Sequence, residues 1–349
     1  MFGALRFLLA YLVVLSHLVG SDYLAHFGFY AVRGFFVLSG FVITAALNEV
    51  YGFDAGRFWA NRLLRLLPPY YLVCLVTLAV LAFVPADAGQ FLSYWRADPR
   101  QNDMLMNLSV LPMQFNDAQL RIVPPYWSVA IEIEMYFLLW IVIARRPAFA
   151  AMALAAGISY HLACIYDGFP WTARYFTAPS ATLSFSLGAL VYFCKQQRFP
   201  AIGFRGALLA FAVWAVNMTA AWWILPDSYA YGVGYYLNTL AFALMVYGFA
   251  GCSFGSRMRA WDRRLGELAY PVFLLQWLAG FVTALVLFPG TGIARGWAVT
   301  LAATPVILLG AVGLAFLHRV LVEPLRARLR EARPDPQPLG VTNLTSAAE

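Results

Sequence analysis

What most limits the fold of this chain is the recurrence of apolar stretches of about 17–25 residues, each long enough to cross a hydrocarbon layer as a helix. We read ten, near 3–20, 28–47, 68–86, 126–144, 148–166, 179–194, 205–224, 232–250, 268–288 and 297–318, the sixth being short. Backbone groups in lipid must be satisfied within their own segment, so such stretches predict helices. Gly20, Pro68, Pro226 and Pro289 punctuate several of their ends. The expected fold is all-α, with about ten transmembrane helices in one bundle over residues 1–330 and a disordered, proline-bearing tail over 331–349. Composition excludes a soluble globular domain: of 349 residues, 62% are hydrophobic and 12% charged, and the mean hydropathy is +0.69. No internal repeat and no appended soluble domain is visible.

The basic excess, +7, is first a statement about orientation. With the N-terminus inside, eighteen basic residues fall in inside regions, among them Arg57, Arg62, Arg65, Arg145, Arg146, Arg263, Arg264, Arg319 and Arg326. Five fall outside: Arg96, Arg100, Arg121, Arg174 and Arg295. This asymmetry predicts an even number of spans and both termini in the cytoplasm; the expected location is the plasma (inner) membrane. Nucleic acid is not needed to explain the basic charge. The first span is expected to remain in the mature protein, because no small-residue cleavage site follows it. One connection, about 87–125, is long and is expected outside, where loops of this length are often functional or act as lids.

Ionisable residues within spans are costly and mark function. Arg6 and His17 sit eleven positions apart in the first span, about 16 Å along a helix. Arg62 and Arg65, three apart, share a helix face beside Pro68-Pro69, which is expected to end that helix or start the next. They read either as anchors that snorkel to lipid phosphates or as a cytoplasmic anion site. Glu132 and Glu134, two apart, cannot face the same way. Glu132 is placed at a depth comparable to His17, where a carboxylate would fix the imidazole tautomer; its other candidate partner is Arg33. Ser39 and Gly40 in Gly34–Phe41 fit close helix packing. His26, His161 and His318 read as structural or interfacial. Cys74, Cys164, Cys194 and Cys252 read as small core residues, and no metal site is expected.

The series Arg6-Phe7-Leu8-Leu9-Ala10 through His17, then Phe35–Phe41, Arg62–Pro68 and Trp127–Glu132 resembles the ordered motifs of the acyltransferase-3 family of membrane O-acyltransferases. Leu265–Pro271 and Glu323-Pro324 resemble its C-terminal elements, so the likeness covers about residues 3–330. It implies transfer of an acyl group, most often acetyl from acetyl-CoA, to hydroxyls of extracytoplasmic carbohydrates of bacteria. By that resemblance His17 is the essential histidine, Arg6 its partner, and Arg62 and Arg65 the basic pair near the donor. Trp127, Ser128 and Arg33 are implied as substrate contacts. Two positions depart from the family pattern: Gln276 stands where many relatives have histidine, and Arg33 where an acidic residue often precedes the Phe pair.

The expected mechanism anchors the acyl-CoA phosphates at Arg62 and Arg65, runs the pantetheine arm past Arg6, and brings the thioester to His17. There His17 acts as general base, oriented by Glu132, or as acyl carrier. A transporter or flippase of a lipid-linked sugar is the rival reading, since intramembrane Arg, His and Glu also mark translocation paths.

Overall fold

The computed structural model describes residues 1–20, 24–95, 101–110, 120–289 and 294–331. The expected disordered tail, apart from Glu331, and the charged residues Arg96, Asp98, Arg100 and Asp117 lie outside them. Among the described residues the chain is helical throughout, with one isolated antiparallel bridge between Trp95 and Leu120. In chain order the helices are α1 (Phe2–Leu18), α2 (Ala25–Ala45, prolonged by a π-helical turn Ala46–Tyr51), α3 (Ala55–Phe83), α4 (Pro85–Phe91), α5 (Gln101–Ser109), α6 (Trp127–Ile141), α7 (Pro147–Tyr166) and α8 (Trp171–Tyr175). They continue with α9 (Ala178–Gln196), α10 (Gly203–Trp223), α11 (Asp227–Ala230), α12 (Val233–Ala250), α13 (Ser256–Leu287), α14 (Trp297–Leu321) and α15 (Glu323–Glu331).

Eight helical stretches are long and apolar enough to cross a membrane. The other two of the ten expected segments form the shorter helices α1, of 17 residues, and α6, of 15. These two hold His17 and Glu132; α1 is largely buried, while α6 also exposes Phe137, Leu138 and Ile141. In α2, apolar all round its circumference, 89% of the most apolar window is buried, whereas the corresponding figure for α7 is 22%. Peripheral helices therefore expose Leu162, Leu209, Leu309 and Phe316, a surface that only lipid tolerates at this extent.

Glycines set how closely the inner helices approach. A Cβ at Gly188 of α9 would overlap the Val37 carbonyl of α2, and one at Gly40 of α2 would overlap the Phe185 carbonyl of α9. The two helices meet backbone to backbone there. At the other side of the core, Gly3 of α1 lies on the backbone of α13 at Asp262, and the Asp262 carboxylate accepts from Gly3 N (3.1 Å) and Ala4 N (2.8 Å). A carboxylate at a helix N-terminus satisfies donors that have no partner within the helix.

Two expectations about helix ends change. Pro68 and Pro69 neither end nor begin a helix but lie inside the continuous 29-residue α3, which starts at Ala55 and so carries Arg62 and Arg65 itself. Helix α13 runs 32 residues and begins twelve positions before the apolar run read from sequence, adding Arg257, Arg259, Asp262, Arg263, Arg264 and Glu267 to it. The described residues of the 87–125 connection, expected outside, pack against the middle of α3. Tyr70 and Tyr71, near the centre of α3, donate to the carbonyls of Asn107 and Leu108, both at 2.7 Å. Between its described residues, side chains satisfy irregular backbone: Asn107 bonds Leu120 O (2.8 Å) and Ile122 N (2.9 Å), and Asp103 accepts from Leu120 N (3.1 Å). Side-chain amides and carboxylates here replace the water an exposed loop would use.

Candidate active site

The interior polar residues fall on helical stripes that converge on one line through the bundle. On α6, Ser128, Glu132 and Tyr136 are spaced four apart and face the same way. On α13, Arg263, Gly266, Tyr270 and Phe273 form a second stripe, with alternating spacings of three and four. Helix α1 places Arg6 near its beginning and His17 at its end. These faces line three cavities.

The largest, about 490 Å³, opens at the end of the bundle where α1, α3 and α13 begin. Arg6, Arg65, Arg263, Arg264, Arg319 and Arg326 line it, against Asp262, Glu267 and Glu323. Of those three acids, Asp262 is engaged at the start of α1 and Glu323 accepts from Arg326 at 2.6 Å. The remaining balance is positive, which favours an anionic occupant. Arg326 also donates to Asn61 Oδ1 (3.2 Å), tying α15 to α3. His318, read from sequence as without a partner in function, also lines this cavity.

Next along the line lies a cavity of about 90 Å³ that shares Arg6, Arg65, Gly266 and Tyr270 with the first. It adds Arg62, Glu132, Tyr136 and Ser39. Arg62 is buried between the rings of Tyr51 (5.9 Å) and Phe58 (6.0 Å), so it does not snorkel to lipid. Glu132 accepts a hydrogen bond from Ser39 Oγ, while Glu134 lines none of the three cavities. Ser39 is therefore more than a packing residue, whereas Gly40 is used for packing.

The third cavity, about 60 Å³, shares Val32, Ser128 and Phe273 with the second. His17, Ser16, Trp127 and Tyr175 complete much of its wall. Ser128 Oγ donates to Pro125 O at 3.0 Å. The His17 imidazole is held by α13: Nδ1 lies 3.0 Å from Gln276 Oε1, and the ring stands against Trp277 at 5.2 Å between centroids. Gln276 is fully buried, and its Nε2 donates to Phe273 O at 2.8 Å. Arg295 reaches over Trp277 (5.6 Å) and donates to the His17 carbonyl at 3.3 Å.

Two expected pairings are corrected. Glu132 does not orient His17, because on α6 it stands one turn, about 6 Å, further toward the basic end than Ser128, which faces the His17 cavity. Arg33 neither pairs with Glu132 nor lines any of these three cavities. Its guanidinium donates to the carbonyls of Ser180 (3.0 Å), Arg174 (2.6 Å) and Tyr175 (3.3 Å) and to Ser180 Oγ (2.9 Å), boxed by Phe36, Tyr175 and Tyr235. His161 Nε2 donates to the same Ser180 carbonyl at 3.0 Å, so Arg33 and His161 together hold the start of α9. Sequence reasoning missed Gln276 as a partner of His17, and it missed Arg263, Arg264, Arg319 and Arg326 as cavity residues. Charge pattern alone assigns these four to orientation; for Arg263, its three-and-four spacing with Gly266, Tyr270 and Phe273 is the signal that points inward. Among the described residues no three His, Cys, Asp or Glu side chains come together as metal ligands.

A bundle of apolar helices with buried charges aligned through its interior defines a polytopic membrane protein with a polar internal path. The family model described as an acyltransferase domain matches residues 2–318, and the chain belongs to the acyltransferase-3 family. It is a membrane acyltransferase. No curated protein and no solved structure matches it.

Proposed function

We propose that the protein transfers an acyl group, acetyl in the simplest case, from cytoplasmic acyl-CoA to a hydroxyl of an extracytoplasmic carbohydrate or glycoconjugate. The observation that carries this reading is the series of adjoining cavities, linked by the shared residues Arg6, Arg65, Gly266 and Tyr270 at one junction and Val32, Ser128 and Phe273 at the other. A donor with phosphates at one end and a thioester at the other suits a path that is arginine-rich at one end and carries a histidine at the other. Guanidinium groups hold phosphate through charge-assisted, often bidentate bonds. The separation of Arg6 and His17, about 16 Å along α1, leaves room for an extended pantetheine arm between them.

In this reading the phosphates rest among Arg65, Arg263, Arg264 and Arg319, and the thioester reaches the cavity beside His17. The acceptor oxygen attacks the thioester carbonyl as its proton passes to His17. The C–O bond forms, the C–S bond breaks, and His17 returns the proton to the departing sulfur, so that CoA leaves as the thiol. General-base assistance of this kind contributes roughly 10²–10⁴-fold. An acyl-histidine route would use the same ring nitrogen. The arginine-rich end faces the cytoplasm of a bacterial inner membrane, in keeping with the charge asymmetry of the loops.

The test compares glycans from cells lacking the protein, complemented with wild type or with His17→Ala at matched membrane abundance, by mass spectrometry. Wild type should add the mass of one acyl unit to an extracytoplasmic glycan, and His17→Ala should abolish it. Undiminished acylation by His17→Ala sinks the proposal.

A further inference from the structure

The hydrogen-bond polarity around His17 determines which of its ring nitrogens carries the proton, and the determinant is a residue on α13, 259 positions away in the sequence. Gln276 Nε2 lies 2.8 Å from the carbonyl of Phe273, which can only accept. The amide is therefore oriented with nitrogen toward Phe273 and oxygen toward His17; the flipped orientation would set two acceptors against each other. Gln276 Oε1 in turn can only accept, and it lies 3.0 Å from His17 Nδ1. Nδ1 must then bear hydrogen. In a neutral imidazole that leaves Nε2 with a lone pair, and no hydrogen bond within the described residues occupies it. His17 lines the cavity that also holds Ser16, Trp127 and Ser128.

We propose that Gln276 is a positioning residue of this acyltransferase, holding His17 as the Nδ1–H tautomer so that Nε2 is the nitrogen that takes the acceptor's proton. The inference rests on the reading of His17 as the reactive group. Gln276 is suited to this by being neutral as well as buried at 0% exposure. A carboxylate in its place would also accept from Nδ1, but it would hold the imidazolium and slow return of the proton to the leaving sulfur. The charged and titratable groups facing His17 from neighbouring elements are Arg295, ahead of α14, and Tyr175 of α8; Glu132 of α6 lies one turn beyond. None of these is a carboxylate in contact with the ring. Arg295, whose guanidinium reaches the His17 carbonyl, works in the same direction as Gln276 by opposing a second positive charge.

The experiment uses the full chain in lipid nanodiscs, labelled with ¹⁵N in the imidazole rings. The His17 signals are assigned by their loss in His17→Ala, and acetyl-CoA cleavage is followed by release of thiol. Wild type should show His17 protonated at Nδ1 at neutral pH. Gln276→Leu should release the ring into mixed tautomers and lower kcat on the order of 10²-fold, with KM for acetyl-CoA unchanged. Gln276→Glu should restore the Nδ1–H form and much of the rate, with the acidic limb of the pH–rate profile displaced to higher pH because the carboxylate raises the pKa of the base. Protonation of wild-type His17 at Nε2 overturns the inference without any variant being needed. So does a Gln276→Leu protein with the wild-type tautomer and rate. Full activity in His17→Ala would instead remove the proposed function, while the spectra still decide what Gln276 does.

Discussion

At the scale of the residue, the two arginines of α3 that sequence treats alike are separated by the structure. Arg65 lines both the large basic cavity and its neighbour, while Arg62 lines only the neighbour and is wedged between Tyr51 and Phe58. A charge-assisted hydrogen bond is worth about 1.5–3 kcal/mol. Arg65→Ala should therefore weaken acetyl-CoA binding roughly 10–100-fold, and Arg62→Ala should mainly lower thermal stability. Calorimetric titration beside melting curves checks this; equal losses of affinity in the two variants would contradict it. Glu132 sits among Arg6, Arg62 and Arg65 in the same cavity and compensates their charge. Glu132→Gln should lower the melting temperature of the free protein and enlarge the increase produced by saturating CoA, since an anion then relieves more repulsion. A CoA-induced increase no larger than in wild type would count against donor phosphates approaching this cavity.

At the scale of the element, the close meeting of α2 and α9 brings Ser39 to Glu132 and Arg33 to the start of α9. Both contacts need α2 at one rotation and one depth. Gly188→Val places side-chain atoms where the Val37 backbone lies, and overpacking of a dense interface costs about 1–3 kcal/mol or more. Gly255→Ala, where an added Cβ meets nothing within 4 Å, is the matched control. We expect fluorescence-detected gel filtration to show a loss of thermally stable monomer for Gly188→Val only; indistinguishable melting of the two would refute close α2–α9 contact. The 87–125 connection adds a second constraint at this scale. Trp95, buried at 2%, packs edge-on against Phe281 of α13, and Phe91 packs against Trp277, which in turn abuts His17. The connection thus braces the helix that holds His17.

At the scale of the molecule, the path has direction, and a topology experiment tests it. Ser93 is exposed at the His17 end and Gln197 is exposed after α9, beside the basic residues Lys195 and Arg198. In a cysteine-free background, an impermeant maleimide should label Ser93→Cys in spheroplasts and Gln197→Cys only after lysis. The reverse pattern would put the arginine-rich cavity outside and deny a cytoplasmic donor its binding site. Residue 95 is unsuitable for this labelling because its side chain is buried.

The sequence by itself determined the class of the protein: apolar runs of spanning length, basic residues concentrated in every second connection, and ionisable residues inside helices are local properties, readable without knowing any neighbour. It also named His17, Arg6 and Glu132 as interior groups, because burying charge in an apolar helix is costly wherever that helix sits. Its errors concern helix ends, such as those of α3 and α13, and above all pairing. Which side chain reaches His17 depends on the rotation and vertical register of α6 and α13 against α1, and those are set by contacts far apart in the chain, such as Gly3 with Asp262 and Gly188 with Val37. One helical turn of depth separates a Glu132 that would orient the imidazole from a Glu132 that balances three arginines, and hydropathy does not resolve one turn. Gln276, noted in the sequence only as a departure from the family pattern, acquires its place beside Nδ1 from that register alone. Tertiary packing decided the partners because hydrogen bonding acts over about 3 Å, whereas the boundaries of an apolar segment are uncertain by more than that.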